Sequence, residues 1–211
     1  MLRIDQLKVA PLPALTFTVS DGECFVIEGP SGSGKTRLLR AIADLDLAPG
    51  HVFLNGAERG EVTGPQWRKR VRYASAEPQW WTDTARPAFD SLDKSASKGL
   101  PERLTRGLVS LGLAPDIIDK PLAALSTGER QRLALLRALI DEPAVLLLDE
   151  PVSALDVQSA ALVAELLRFQ MLAGRSLIVS AHNDNPVTRL AHARLQLARP
   201  SAAIVRGSQR P

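Results

Sequence analysis

No two cysteines occur in this sequence: Cys24 stands alone among 211 residues, so no disulfide can close within the chain. A reduced, cytosolic compartment is the natural expectation from that absence. Long apolar runs are missing too. A membrane-spanning helix needs roughly 20 consecutive apolar residues, and even the stretch from Leu133 to Leu148 is broken by Arg137, Asp141, Glu142 and Pro143. Any tie to a membrane is therefore expected to run through a partner. The first residues, Met1 to Val9, alternate apolar with charged side chains, where a secretory signal needs an unbroken apolar core. They read as a strand of the mature protein. A large excess of one sign of charge is missing as well: 26 Lys and Arg stand against 23 Asp and Glu, a formal net charge of +3, with acids and bases mixed along the chain. Nucleic-acid binding calls for a clustered basic stripe, so no nucleic-acid partner is expected. Internal repeats and low-complexity segments are absent.

With 45% hydrophobic residues, the chain can bury a full core as one domain, with room for one inserted lobe. Leu15 to Val19 and Cys24 to Glu28 read as strands joined at the Asp21-Gly22 turn. A glycine-rich loop and a helix over Thr36 to Asp44 follow, then short strands at Val52 to Leu54 and Val71 to Ser75. From about Ala76 to Leu125 strand patterns vanish, and one helix is expected around Glu102 to Leu111. Beyond it come a helix over Thr127 to Asp141, a strand over Val145 to Leu148 and a helix over Gln158 to Leu172. A strand over Leu177 to Ser180 and a short tail complete the pattern, with Gly207 to Pro211 expected to fray. Strands that alternate with helices in near-continuous apolar runs argue for an α/β fold with a parallel sheet covered on both faces.

The glycine-rich loop is Gly29-Pro30-Ser31-Gly32-Ser33-Gly34-Lys35-Thr36, which matches the phosphate-loop pattern G-x-x-x-x-G-K-[ST]. Glycines let the backbone curl so that successive N–H groups face phosphate oxygens. The helix that follows adds its positive end. Lys35 is expected to reach the β- and γ-phosphates of ATP, and the Thr36 hydroxyl to ligate Mg²⁺. A plain flexible turn before a helix is the bland alternative, but the position between a strand and a helix is the one phosphate binding demands.

Val145 to Leu148 run straight into Asp149-Glu150-Pro151. Ligands of open α/β sheets sit beyond the carboxyl ends of strands, so these acids are placed to act there. Asp149 is expected to hold Mg²⁺ and Glu150 to polarise the attacking water. A buried strand that merely ends in solvated acids is the competing reading, weakened by the phosphate loop upstream. Leu125-Ser126-Thr127-Gly128-Glu129-Arg130-Gln131-Arg132 reads as a capping box at a helix start, Ser126 capping and Glu129 reaching back. Leu133, Leu136, Leu139 and Ile140 give that helix an apolar face.

The order of these motifs, continued by Ser153-Ala154-Leu155-Asp156 and Ser180-Ala181-His182-Asn183, resembles the ATP-binding cassette (ABC) ATPases over nearly the whole chain. The likeness is strongest to small stand-alone bacterial subunits of the iron-export type. It implies a P-loop NTPase with a RecA-like, mostly parallel sheet, antiparallel N-terminal strands and an inserted α-helical subdomain. On that reading residues 1–75 and 126–211 form the ATP-binding core and 76–125 the insertion. It implies ATP hydrolysis with Mg²⁺ by a head-to-tail homodimer. In that dimer Ser126 and the Gly128 N–H would reach the partner's γ-phosphate, Asp156 would lie in the loop linking the two sites, and His182 would contact the γ-phosphate. A separate transmembrane permease, which chooses substrate and direction, would hold the subunit at the cytoplasmic face of the membrane. A soluble ATPase acting on ribosomes or DNA, or a weakly hydrolysing regulatory subunit, are the other classes; the first usually needs two cassettes or long coiled coils.

Three positions depart from the family's pattern. Ala76 stands where a glutamine usually senses Mg²⁺ and the water, with Glu77 and Gln79 nearby. Lys8-Val9-Ala10-Pro11 offers aliphatic cover for adenine in place of an aromatic ring. Thr127 replaces the first glycine of the signature, and its β-branch restricts the backbone. Trp80 and Trp81 are either a socket for a permease helix or core residues of the insertion.

Overall fold

The computed structural model describes residues 1–89, 101–182, 184–198 and 201–206. Asn183, residues 90–100 of the expected insertion and the Gly207 to Pro211 tail lie outside the described residues. In chain order the elements are β1 (Leu2–Leu7), β2 (Leu15–Val19), β3 (Cys24–Glu28), α1 (Lys35–Ile42), β4 (His51–Leu54) and β5 (Ala57–Glu58). Then follow α2 (Gly64–Arg70), β6 (Val71–Ala74), α3 (Glu102–Ser110), α4 (Thr127–Leu139) and β7 (Val145–Asp149). The rest are α5 (Val157–Leu172), β8 (Ser176–Ala181), β9 (Ala193–Ala198) and β10 (Ser201–Arg206).

The strands form two sheets: an antiparallel one in the order β2-β1-β4-β5, and a larger one in the order β10-β9-β3-β8-β7-β6. In the larger sheet β9, β3, β8, β7 and β6 run parallel, and only β10 turns back against β9. Alternation along its strands explains how one sheet serves two cores. Phe25, Ile27, Val145, Leu147 and Ile178 face the antiparallel sheet and α1. Their neighbours Val26, Leu146, Leu148, Leu177 and Val179 face the side that α3, α4 and α5 cover. Strands buried on both faces have to read as continuous apolar runs, which is why β7 and β8 were legible and showed no period of two.

Two segments differ from expectation. The short tail is in fact the paired strands β9 and β10. The Arg194 and Gln196 side chains interrupt an otherwise apolar β9, which is the alternation of a strand with one face toward solvent. A further helix, α2, begins at the Thr63 cap, with Pro65 in its first turn and Gln66 completing a capping box. Trp67 anchors it: fully buried, its Nε1–H donates to the Ile42 carbonyl at 3.0 Å. The signature helix stops at Leu139, two residues earlier than the sequence suggests. Between β6 and α4 the described residues hold α3 and short 3-10 turns and no strand longer than a single bridge.

Candidate functional site

Three adjacent strands, β3, β8 and β7, point their carboxyl ends the same way. The phosphate loop follows β3, His182 follows β8, and Asp149 and Glu150 end β7. Lys35 and His182, 147 positions apart in sequence, are thereby brought to one edge of the sheet.

Gly32 (φ 72) and Gly34 (φ 101) take left-handed backbone, which lets the loop curl ahead of α1. Gly29 is held by space: a Cβ there would come within 2.7 Å of the Leu197 carbonyl oxygen. Lys35 is almost fully buried, and its ammonium donates to the Gly29 carbonyl at 2.7 Å and to the Pro30 carbonyl at 3.2 Å. Burial lowers its pKa, against the pull of the Glu150 and Asp149 charges. The hydroxyl of Ser33 is buried inside the loop with no hydrogen-bond partner. A cavity of about 200 Å³ opens here, walled by Pro11, residues Ser31 to Arg37, Glu150 and His182.

Asp149 is buried and surrounded by hydroxyls. Thr36 Oγ1 donates to its Oδ2 at 2.7 Å, Tyr73 Oη donates to the same oxygen at 3.0 Å, and Ser180 Oγ donates to Oδ1 at 2.5 Å. Burial and the Asp149 charge raise the Tyr73 pKa, so its phenol stays a donor. Glu150 has a left-handed backbone (φ 48), an uncommon conformation for a residue with a Cβ. It departs from its neighbour's direction: Glu150 Oε1 lies 2.5 Å from His182 Nε2, while the His182 ring also lies 3.3 Å from Lys35 Nζ. Ser180 joins the two acids, accepting from the Glu150 N–H at 3.0 Å while donating to Asp149. Gln131 supports the same turn from α4: its Nε2 donates to the Glu150 carbonyl at 3.0 Å, and its Oε1 accepts from the Ala154 N–H at 3.3 Å.

The signature corner stands apart. Ser126 and Gly128 are not among the walls of the phosphate-loop cavity. Ser126 Oγ accepts from the Glu129 N–H at 3.2 Å and donates to Glu129 Oε2 at 2.8 Å, so the capping box read from sequence is formed. Gly128 packs against the following segment: a Cβ there would sit 3.1 Å from Leu155 Cδ2. Asp156 caps α5 through the Ser159 N–H at 2.8 Å. Thr127 is exposed and is the first residue of α4, where its hydroxyl accepts from the Arg130 guanidinium at 3.4 Å.

Of the residues singled out from sequence, the structure gathers Gly29 to Thr36, Asp149, Glu150 and His182, and leaves Ser126 and Gly128 elsewhere. Tyr73, Ser180 and Gln131 were not foreseen. Ser180 carries a signal only as the first residue of the Ser180-Ala181-His182-Asn183 run; its meeting with Asp149 is set by the register of β8 on β7. Tyr73 and Gln131 carry none, because they act across gaps of 76 and 19 residues.

The donors around Asp149 suit a small hard cation: Thr36 offers a hydroxyl oxygen and Asp149 a carboxylate. Among the described residues no three His, Cys, Asp or Glu side chains cluster as a metal cage. A divalent ion held here has to complete its shell with phosphate oxygens and water, which is how Mg²⁺ behaves with nucleotides.

A second cavity, about 630 Å³, lies between β6 and α4. Tyr73, Trp80, Trp81 and Arg137 line it. The Arg137 guanidinium stacks 4.3 Å from the Trp80 ring centre and 5.4 Å from that of Trp81. Trp80 is half-buried and packs against the core, whereas Trp81 is 85% exposed.

Residues 12–153 match the family model described as ABC transporter. The chain is 35% identical over 189 residues to the molybdenum import ATP-binding protein ModC of Rhodobacter capsulatus, across 83% of this chain and 52% of that protein. It is 31% identical over 180 residues to the cytochrome c biogenesis ATP-binding export protein CcmA of Rhodopseudomonas palustris, across 82% of this chain and 85% of that one. The chain spans about half the length of the first curated relatives it matches. Among solved structures, a dimeric post-hydrolysis state of an ATP-binding cassette bound to ADP and Pi superposes with a TM-score of 0.81 at 23% identity, covering 99% of this chain and 100% of that one. That likeness establishes a P-loop cassette fold, mixed α/β with one antiparallel and one mostly parallel sheet. The chain belongs to the ABC transporter family, as an ATP-binding domain.

Proposed function

We propose that this ABC ATP-binding domain hydrolyses ATP as the motor of a membrane transporter, paired head to tail with a second copy and docked on a separate permease. The observation that carries the reading is the convergence of Lys35, Thr36, Asp149, Glu150 and His182 at the carboxyl ends of three neighbouring strands. The loop N–H groups, the start of α1 and Lys35 bind the phosphates. On that binding, Lys35 exchanges two backbone carbonyls for phosphate oxygens. Thr36 and Asp149 hold Mg²⁺, which neutralises charge on the phosphates when bound. Glu150 polarises the attacking water. His182, 2.5 Å from Glu150, contacts the γ-phosphate and steadies that carboxylate. Ser126 and Gly128, remote from the cavity of their own chain, act on the partner copy's nucleotide. Residues 1–75 and 126–211 serve as the ATP-binding core and 76–125 as the inserted helical lobe.

No helix among the described residues is long and apolar enough to cross a membrane; in this reading the membrane-spanning part is a separate permease. Relatives bear names of both import and export proteins, and the permease decides substrate and direction. The subunit works at the cytoplasmic face, attached through the groove that Trp80, Trp81 and Arg137 line.

The test uses tagged Glu150→Gln protein with ATP and Mg²⁺. Hydrolysis should fall by about a hundredfold or more, as for loss of a general base, while ATP binding persists and light scattering reports a dimer. A pull-down from native membranes should then recover a multi-span membrane protein. Recovery of ribosomes, DNA or soluble proteins alone would overturn the transporter reading.

A further inference from the structure

Asp149 has a hydroxyl partner outside the phosphate loop and outside its own strand. The β6 and β7 strands are parallel, with Tyr73 opposite Leu147, so the Tyr73 side chain emerges on the same sheet face as Leu147 and Asp149. From there Asp149 lies two residues further along, about 6.6 Å at the rise of a parallel strand. A tyrosine is long enough to cover that distance, and its Oη meets Asp149 Oδ2 at 3.0 Å. Thr36 donates to the same oxygen and Ser180 to the other. An ionised carboxylate offers about four acceptor positions. Three hydroxyls thus hold this one, and the direction left open is defined by all three together.

We propose that Tyr73 is a positioning residue for the divalent cation: its phenol fixes the Asp149 carboxylate from the β6 side while Thr36 fixes it from the loop side. This rests on the reading of the site as one for ATP with a divalent ion. Ala76 stands where the resemblance to the family implies a glutamine, and Tyr73 is the β6 residue whose polar atom reaches the acid. Partners that orient a ligating carboxylate contribute to metal affinity without touching the metal. The phenol is suited to that task because two torsions place it. Tyr73 is half-buried and packs against the core that includes Leu147, and it is among the residues that line the groove with Trp80 and Arg137. Tyr73→Phe keeps the ring and removes only the hydroxyl.

The experiment uses the full chain, a non-hydrolysable ATP analogue and Mn²⁺ as the probe. Free Mn²⁺ is read by electron paramagnetic resonance, and analogue binding is measured separately in EDTA. In Tyr73→Phe, Mn²⁺ affinity of the nucleotide complex should fall about tenfold, with metal-free nucleotide affinity and thermal midpoint unchanged. Mn²⁺ affinity within about twofold of wild type, in a variant that still binds the analogue, would overturn the proposal. A wild-type protein that binds no analogue either in EDTA or with Mn²⁺ would instead overturn the ATP-site reading and this proposal with it. Loss of analogue binding in Tyr73→Phe alone would assign Tyr73 to the nucleotide pocket and reject the role at Asp149.

Discussion

The phosphate-loop cluster and the signature corner are built from the same kind of parts, a helix N-terminus with hydroxyls and an acid, yet they differ in what each one leaves open. At the loop, Lys35, Asp149, Ser180 and Ser33 are buried, and the Ser33 hydroxyl has no partner. Lys35 rests on two carbonyls that any anion in the cavity would displace. At the corner, Ser126 is exposed and its hydroxyl both accepts from and donates to Glu129. A buried site with groups in reserve is prepared for a ligand by the fold itself. An exposed, self-satisfied cap needs a second body to give it another role. Under the proposed function, that difference separates what one copy of the chain would do alone from what would require a partner copy.

Substitutions sharpen that contrast, beginning with the buried side. Lys35→Ala should reduce nucleotide affinity of the single chain by about 3 kcal/mol, roughly a hundredfold, as expected for removal of a charged partner of phosphate. Calorimetry checks this, and unchanged binding would break the comparison at its strong end. At the corner, Ser126→Ala should leave single-chain nucleotide binding as it is and lower folding stability by about 1 kcal/mol, the usual effect of losing a helix cap. The nucleotide-dependent dimer should weaken in the same variant, and loss of single-chain binding instead would mean that the two regions are not separate.

The smallest effect concerns Glu129. Hydrogen bonds from the Ser126 N–H, and then from its hydroxyl, lower the Glu129 pKa below the ordinary 4.5. A carboxylate with a lowered folded pKa stabilises the fold fully above its unfolded value and loses that contribution as pH falls through the folded value. Glu129→Gln should therefore be less stable than wild type by a few tenths of a kcal/mol near neutrality, given solvent screening of a carboxylate that is only partly buried. The gap should close as the pH drops below 4.5, which thermal unfolding across pH checks. A gap that stays constant across pH would show that the amide loses shape rather than charge.

Much of the site was readable because its chemistry is local. Gly29 to Thr36, the acidic end of β7 and the Ser126 to Glu129 box are each contiguous, and each needs particular residue types at fixed spacing. Strands β2 and β3 were legible to the residue, and β7 lacked only Asp149. The antiparallel pair β9 and β10 was not, although β9 alternates as a strand should, and neither was α2 despite its Thr63 and Gln66 cap. The six-residue β9 and the seven-residue α2 are short and carry none of the motif chemistry, so their periodicity is weak over so few residues.

The sequence by itself determined the phosphate loop, the order of the motifs and the parallel α/β class, because each follows from backbone permissiveness, charge and period along a continuous stretch. Only the tertiary structure decided which side chains meet. The order β3-β8-β7 sets His182 against Glu150 and Lys35, and the register of β6 on β7 brings Tyr73 to Asp149. Strand order and register are properties of hydrogen bonding between distant segments, so no local pattern of residues carries them.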